Sequence, residues 1–104
     1  MKGKIALITG GTRGIGRQVS VKLASLGADI AMLYAGNERS AEEAVSEISA
    51  LGVRALALPC DVSDSAAVAG AVGKARAALG AFDILVNNAG ITRDGLSMRM
   101  RDED

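Results

Sequence analysis

The segment Thr9-Gly10-Gly11-Thr12-Arg13-Gly14-Ile15-Gly16 follows the apolar run at 5–8 and precedes a stretch with helical period. A glycine-rich loop between a strand and a helix turns its backbone N–H groups, and the positive end of the helix dipole, towards one spot beyond the strand's C-terminal end. That spot suits a pyrophosphate. Gly10 and Gly14 would let the backbone approach phosphate oxygens, and Gly16 would let helix and strand pack closely. Glycines also serve plain tight turns, so the reading rests on the strand-loop-helix context. The spacing Gly10, Gly14, Gly16 departs from G-x-G-x-x-G, with Val19 where its third glycine would stand.

Other chemistries are poorly supplied. The chain has no His and one cysteine, Cys60, so a zinc cluster, a His-dependent triad and an intrachain disulfide lack their residues. With 12 basic and 12 acidic side chains the net charge is zero, which gives no field for nucleic acid or an anionic membrane. Aromatic residues make up 2% of the chain, too few for base-stacking platforms. The N-terminal apolar run is too short for a signal peptide or a membrane span. These features read as a soluble, cytoplasmic protein without metal.

The loop needs elements to hold it. Short apolar runs at 5–8, 30–33, 53–58 and 82–86 lack polar alternation, as strands buried on both faces do. Helical stripes lie between them: Ile15, Val19, Leu23 and Leu26; Ala41, Ala44, Val45, Ile48 and Leu51; Val68, Val72, Ala75 and Leu79. Ser40-x-x-Glu43 has capping-box spacing, Ser63 or Asp64 precedes the third helix, and Gly27, Gly52 and Gly80 follow the three helices. Gly70 and Gly73 inside the third stripe imply close packing there. The order β-α-β-α-β-α-β with right-handed crossovers gives an α/β fold, half of a doubly wound parallel sheet. Regular patterning stops at Ile91, so 1–90 reads as the binding half and 91–104 as a terminal tail with little order.

Thr-Gly-x-x-x-Gly-x-Gly, with Asn87-Asn88-Ala89-Gly90 after the fourth strand and Cys60-Asp61-Val62-Ser63-Asp64 after the third, resembles the short-chain dehydrogenase/reductase family along nearly the whole chain. The closing Asn87-to-Met100 stretch is similar to bacterial 3-oxoacyl-acyl-carrier-protein reductases, with acetoacetyl-CoA reductases the nearest competitor. The resemblance implies a Rossmann-type half fold with strand order 3-2-1-4. It also implies a cofactor site at Gly10, Thr12, Arg13, Gly14, Ile15, Gly16, Asn37, Asp61, Val62, Asn88, Ala89 and Gly90. Asp61 would accept from the adenine amino group or cap the following helix. Asn88 would hydrogen-bond the sugar or satisfy backbone groups at the strand end, and Gly90 would allow close approach to the sugar.

NAD-specific sites carry an acid at the end of the second strand, about 20 residues past the glycines. Here that region reads Leu33-Tyr34-Ala35-Gly36-Asn37, with no acid to repel a 2'-phosphate. Arg13, with Asn37 or Arg39, would favour NADP(H), while Glu38 opposes it and Arg13 has a solvated alternative. Family members reduce ketones with a Tyr-x-x-x-Lys pair. The single tyrosine, Tyr34, has Glu38 four residues on, so no catalytic residue is assigned and the chain reads as the N-terminal half of a longer enzyme. The parent would act on an acyl-carrier-protein thioester in fatty acid synthesis; a non-catalytic dinucleotide-binding module, truncated or engineered, is the alternative. The fourth strand would be left as an open apolar edge, and one sheet face would be covered by the third helix alone, which together invite a homo-oligomer or a complementary C-terminal half. Arg93, Arg99 and Arg101 would meet an acidic carrier or form a solvated tail.

Overall fold

The computed structural model describes residues 2–10, 14–88 and 97–100, the last segment as backbone alone. Its elements are β1 (Ile5–Thr9), α1 (Gly14–Ser25), β2 (Asp29–Tyr34), α2 (Glu38–Ser49), β3 (Ala55–Pro59), α3 (Ser65–Leu79), β4 (Ile84–Asn87) and β5 (Ser97–Met100). They build one sheet in the order β3-β2-β1-β4-β5. The first four strands are parallel, as the alternating elements and right-handed crossovers require.

Side-chain alternation along the strands divides the core in two. Ala6, Ile8, Ile30, Met32, Ile84 and Val86 face α1 and α2, where they meet Leu23, Ala24, Ala44 and Ile48. Ile5, Leu7, Ala31 and Leu33 face α3 and pack on Ala71, Ala75 and Leu79. Complete burial of Ile84 and Val86 contributes roughly 1.5–3 kcal/mol per side chain to holding β4 in place. Below the sheet, Asp29 accepts from the Arg54 backbone N–H at 2.8 Å and ion-pairs with its guanidinium, which also donates to the Leu79 carbonyl. That contact ties the start of β2 to the turn before β3 and the end of α3.

Several sequence expectations change in three dimensions. β4 is not an open edge, because β5 pairs with it antiparallel, from Ile84↔Met100 to Asn87↔Ser97. Strand structure therefore resumes beyond Ile91; the rest of the 91–104 tail lies outside the described residues. β4 is also not buried on both faces: Ile84 and Val86 are covered while Leu85 is 39% exposed. The cause is layer geometry. Both α1 and α2 cover one side of the sheet, whereas α3 alone serves the other and packs over β2 and β3. A hollow of about 410 Å3 remains, lined by Leu7, Leu33, Val62, Val68, Phe82 and Leu85 among others.

The helix boundaries also move. α2 starts at Glu38 because Asn37 is its N-cap, accepting from the Ser40 N–H at 3.0 Å. Ser40 is thus inside the first turn and heads no capping box. Leu26 and Leu51 fall past their helix ends and are 48% and 45% exposed. Gly70 and Gly73 are solvent-facing, and a Cβ at either would meet open space, so close packing does not account for them. With helical backbone and nothing to clash, Gly70→Ala and Gly73→Ala should each stabilise the fold by about 1 kcal/mol. Urea denaturation of the two variants measures this; destabilisation would mean that α3 requires glycine for a contact beyond those described.

Candidate functional site

The C-terminal ends of β1, β2 and β4 are in register, with Thr9 opposite both Leu33 and Asn87. The segments leaving these strands therefore start from one line along the sheet's upper edge. A clasp of hydrogen bonds fixes two of them together. The Thr9 hydroxyl donates to the Asn87 side-chain oxygen at 3.1 Å and accepts from the Asn88 backbone N–H at 2.9 Å. The Asn88 amide Nδ2 reaches the Gly10 carbonyl at 3.4 Å. Gly10 in turn donates its N–H to the Leu33 carbonyl at 2.7 Å, tying the loop's first residue to β2.

Gly10 and Gly14 take φ of +69° and +63°, the left-handed conformation that glycine reaches without steric cost. Gly16 has a different constraint. A Cβ there would overlap the Gly10 carbonyl and lie 2.8 Å from Asn88 Nδ2. Glycine at 16 is thus the condition for α1 to start against the end of β1, in agreement with the packing role read from the sequence. The first turn of α1 carries no acidic side chain. Gly14 and Ile15 are both exposed, Ile15 to 59%. N-terminal N–H groups beside an exposed apolar side chain and a glycine open to solvent form a donor set that suits an anionic group with an attached apolar face.

Of the two roles that the sequence left open for Asp61, capping α3 falls to Asp64. Asp64 is the N-cap of α3, accepting from Ala66 and Ala67. Asp61 accepts instead from the Ser63 hydroxyl at 2.7 Å and the Ser63 N–H at 3.0 Å, all through Oδ1. The hydroxyl and then the backbone N–H of Ser63 hold the Asp61 carboxyl below its ordinary range. An exposed, ionised acceptor is thus available just past β3. Beside it, burial and secondarily the charges of Asp61 and Asp64 push the thiol of Cys60, which is buried in the core facing α3, up from its ordinary value.

The Asn88 amide donates to backbone at the strand end, namely the Gly10 carbonyl. Asn37 is exposed and engaged as the cap of α2. Val62 is half-buried and lines the hollow on the α3 side. Thr12, Arg13, Ala89 and Gly90 lie outside the described residues. The sequence reading missed Thr9 and Asn87 as site residues; the available signal was that Thr-Gly and Asn-Asn each end a strand, a pairing visible only once β1 and β4 are known to be neighbours. Arg17 was missed as well. It reaches from α1 to Glu47 of α2 at 2.9 Å, with Glu43 at 3.9 Å. Among the described residues, no group of His, Cys, Asp and Glu is arranged to hold a metal ion.

A family model described as short chain dehydrogenase matches residues 4–104. The 3-oxoacyl-(acyl-carrier-protein) reductase FabG of Staphylococcus aureus strain N315 is 45% identical over 101 residues, 97% of this chain and 41% of that protein. The Escherichia coli K12 protein of the same name is 45% identical over 103 residues, 99% of this chain and 41% of that one. The chain therefore spans about 41% of the length of these curated relatives. A short chain dehydrogenase from Burkholderia cenocepacia J2315, solved in complex with NADP, superposes with a TM-score of 0.84 at 49% identity, over 90% of this chain and 38% of that one. A blue fluorescent protein from a metagenomic library, solved with NADPH, gives 0.83 at 47% identity, covering 86% and 37% of the two chains.

Two outcomes test this geometry. Thr9→Val leaves the Asn88 N–H and the Asn87 side chain without their hydroxyl partner and should cost about 1–3 kcal/mol, read from denaturant midpoints; an unchanged midpoint would show the clasp to be incidental. For Asp61, a lowered folded-state value means stabilisation present above the unfolded carboxylate range and lost as pH falls through the lower folded value. Ser63→Ala should move the Asp61 titration, followed by carboxyl carbon NMR, back up towards the ordinary range.

Proposed function

The chain belongs to the short chain dehydrogenase/reductase family, and on that premise we propose that it is the NADP(H)-binding half of a reductase converting 3-oxoacyl-acyl-carrier-protein to the 3-hydroxyacyl form in fatty acid synthesis. The observation that carries the proposal is the clasped edge from which the glycine loop and α1 rise. Gly10 and Gly14 are held at positive φ beside a helix start without acidic side chains, a donor set that fits a pyrophosphate. In this reading residues 1–90 form the dinucleotide-binding half and 91–104 a terminal segment.

Bound NADPH would supply a hydride. The chain's own residues bind and orient. Gly10, Thr12, Arg13, Gly14, Ile15 and Gly16 would hold the phosphates, with Arg13 and Asn37 assigned to the 2'-phosphate. Asp61 would accept from the adenine amino group and Val62 would meet the ring, and Asn88, Ala89 and Gly90 would serve the nicotinamide-side ribose. Ionised Asp61 suits an amino donor and repels phosphate, so it also sets the direction in which a dinucleotide lies. The Tyr-x-x-x-Lys pair with which the family polarises a ketone is absent from this sequence. The second reading is a dinucleotide-binding module without catalysis.

The substrate in the first reading is an acyl-carrier-protein thioester, and no nucleic acid or membrane partner is proposed. Among the described residues no helix is long and apolar enough to cross a membrane; a cytoplasmic location is part of the proposal. The partner reading moves from the edge of β4 to its face: Leu85 and the hollow beside it support association with a second copy or a complementary C-terminal half.

Titration with NADPH and NADH, followed by nicotinamide fluorescence, tests the cofactor reading. Saturable binding that prefers NADPH is expected, weakened about tenfold or more in Arg13→Ala through loss of a charge-assisted contact, and abolished in Gly14→Val. A folded chain that binds neither dinucleotide would overturn it. An acetoacetyl thioester assay after mixing with a complementary C-terminal half separates the two readings, since only the binding half of a reductase would then support oxidation of NADPH.

A further inference from the structure

The first turn of α2 carries a cation that the structure holds back. Arg39 lies five positions past the end of β2, near the strand end at which a dinucleotide site reads the ribose 2'-substituent. Its side chain is 87% exposed, and its Nε is 3.8 Å from Glu43 Oε2. The other oxygen of that carboxylate, Oε1, lies 3.9 Å from Arg17 Nη1. Glu43 is thus shared between an arginine just past the glycine loop and an arginine at the start of α2. The two arginines differ in what else they have. Arg17 makes its shorter contact with Glu47, at 2.9 Å, and keeps it whatever happens at Glu43. For Arg39 the Glu43 carboxylate is the acidic partner recorded.

We propose that Glu43 sets how strongly the chain discriminates a 2'-phosphate from a 2'-hydroxyl, by holding Arg39 back from the ribose; the proposal rests on the cofactor reading above. A ligand with a 2'-phosphate must draw Arg39 away from a carboxylate one helical turn along, and the pair offsets part of the attraction. A ligand with a 2'-hydroxyl makes no such demand, because a neutral group gains little from a free guanidinium. Glu43 acts through Arg39 and touches no reacting atom, so it is a positioning residue. Its contacts are exposed and longer than a tight ion pair, which keeps the expected effect modest and screened by salt.

The test is the affinity of the whole chain for NADPH and NADH in low salt, measured by calorimetry for wild type, Glu43→Gln, Arg39→Gln and the double variant. Glu43→Gln should tighten NADPH by about two- to fivefold, leave NADH unchanged, and lose this gain at high ionic strength. In the Arg39→Gln background the same substitution should change neither affinity. A role for Glu43 in folding alone would move both cofactors together and leave their ratio untouched, and that result overturns the proposal. A gain that persists without Arg39 also overturns it. A wild-type chain that binds neither dinucleotide overturns the cofactor reading and this proposal with it, whereas binding with an unchanged ratio in Glu43→Gln overturns this proposal alone.

Discussion

Helix α1 begins where it does because position 16 has no side chain. The Gly10 carbonyl and the Asn88 amide occupy the space that a Cβ would need, so the last turn of strand and the first turn of helix close on each other across a gap that only glycine permits. The same carbonyl accepts from Asn88, and the Thr9 hydroxyl one residue earlier bridges to Asn87 and Asn88. One close approach therefore sets three positions at once: the helix N-terminus, the loop that precedes it and the end of β4.

The uneven layers follow from topology. Crossovers of one hand send α1 and α2 to the same side after the chain moves outward from β1 to β3, and the return to β4 puts α3 on the other. α3 spans β2 and β3, so β4 keeps one bare face and Leu85 projects from it. β5 closes the edge of β4 but, as a strand, adds no second layer over that face. Edge and face are separate demands on a half sheet, and here only the edge is met within the described residues.

Charge is sorted along the upper edge of the sheet. The start of α1 lacks acids, while the exit from β3 holds two, one capping α3 and one kept ionised by Ser63. In the cofactor reading proposed above, a phosphate would be drawn to the first place and an amino group to the second, which would give a dinucleotide a direction before any specific contact to its 2'-position. Between them, Arg17 and Arg39 share Glu43, so the net charge at the start of α2 is a balance between neighbours rather than the property of one side chain.

The sequence alone determined the order of elements, the parallel pairing of the first four strands and the role of Gly16, because these depend on hydrophobic period, crossover handedness and local glycine geometry. The open face beside β4 was legible too, from counting helices against strands. Tertiary structure decided what depends on residues far apart in the chain. Thr9 and Asn87 become partners only when β1 and β4 lie side by side, and Arg17 finds Glu43 and Glu47 only when α1 and α2 share a face. Asn37 captures the cap of α2 from Ser40 because its side chain reaches the right N–H, a competition that spacing cannot rank. β5 escaped notice because the polar-apolar alternation of Ser97-Met98-Arg99-Met100 is only four residues long, and its strand conformation is completed by pairing with the backbone of β4.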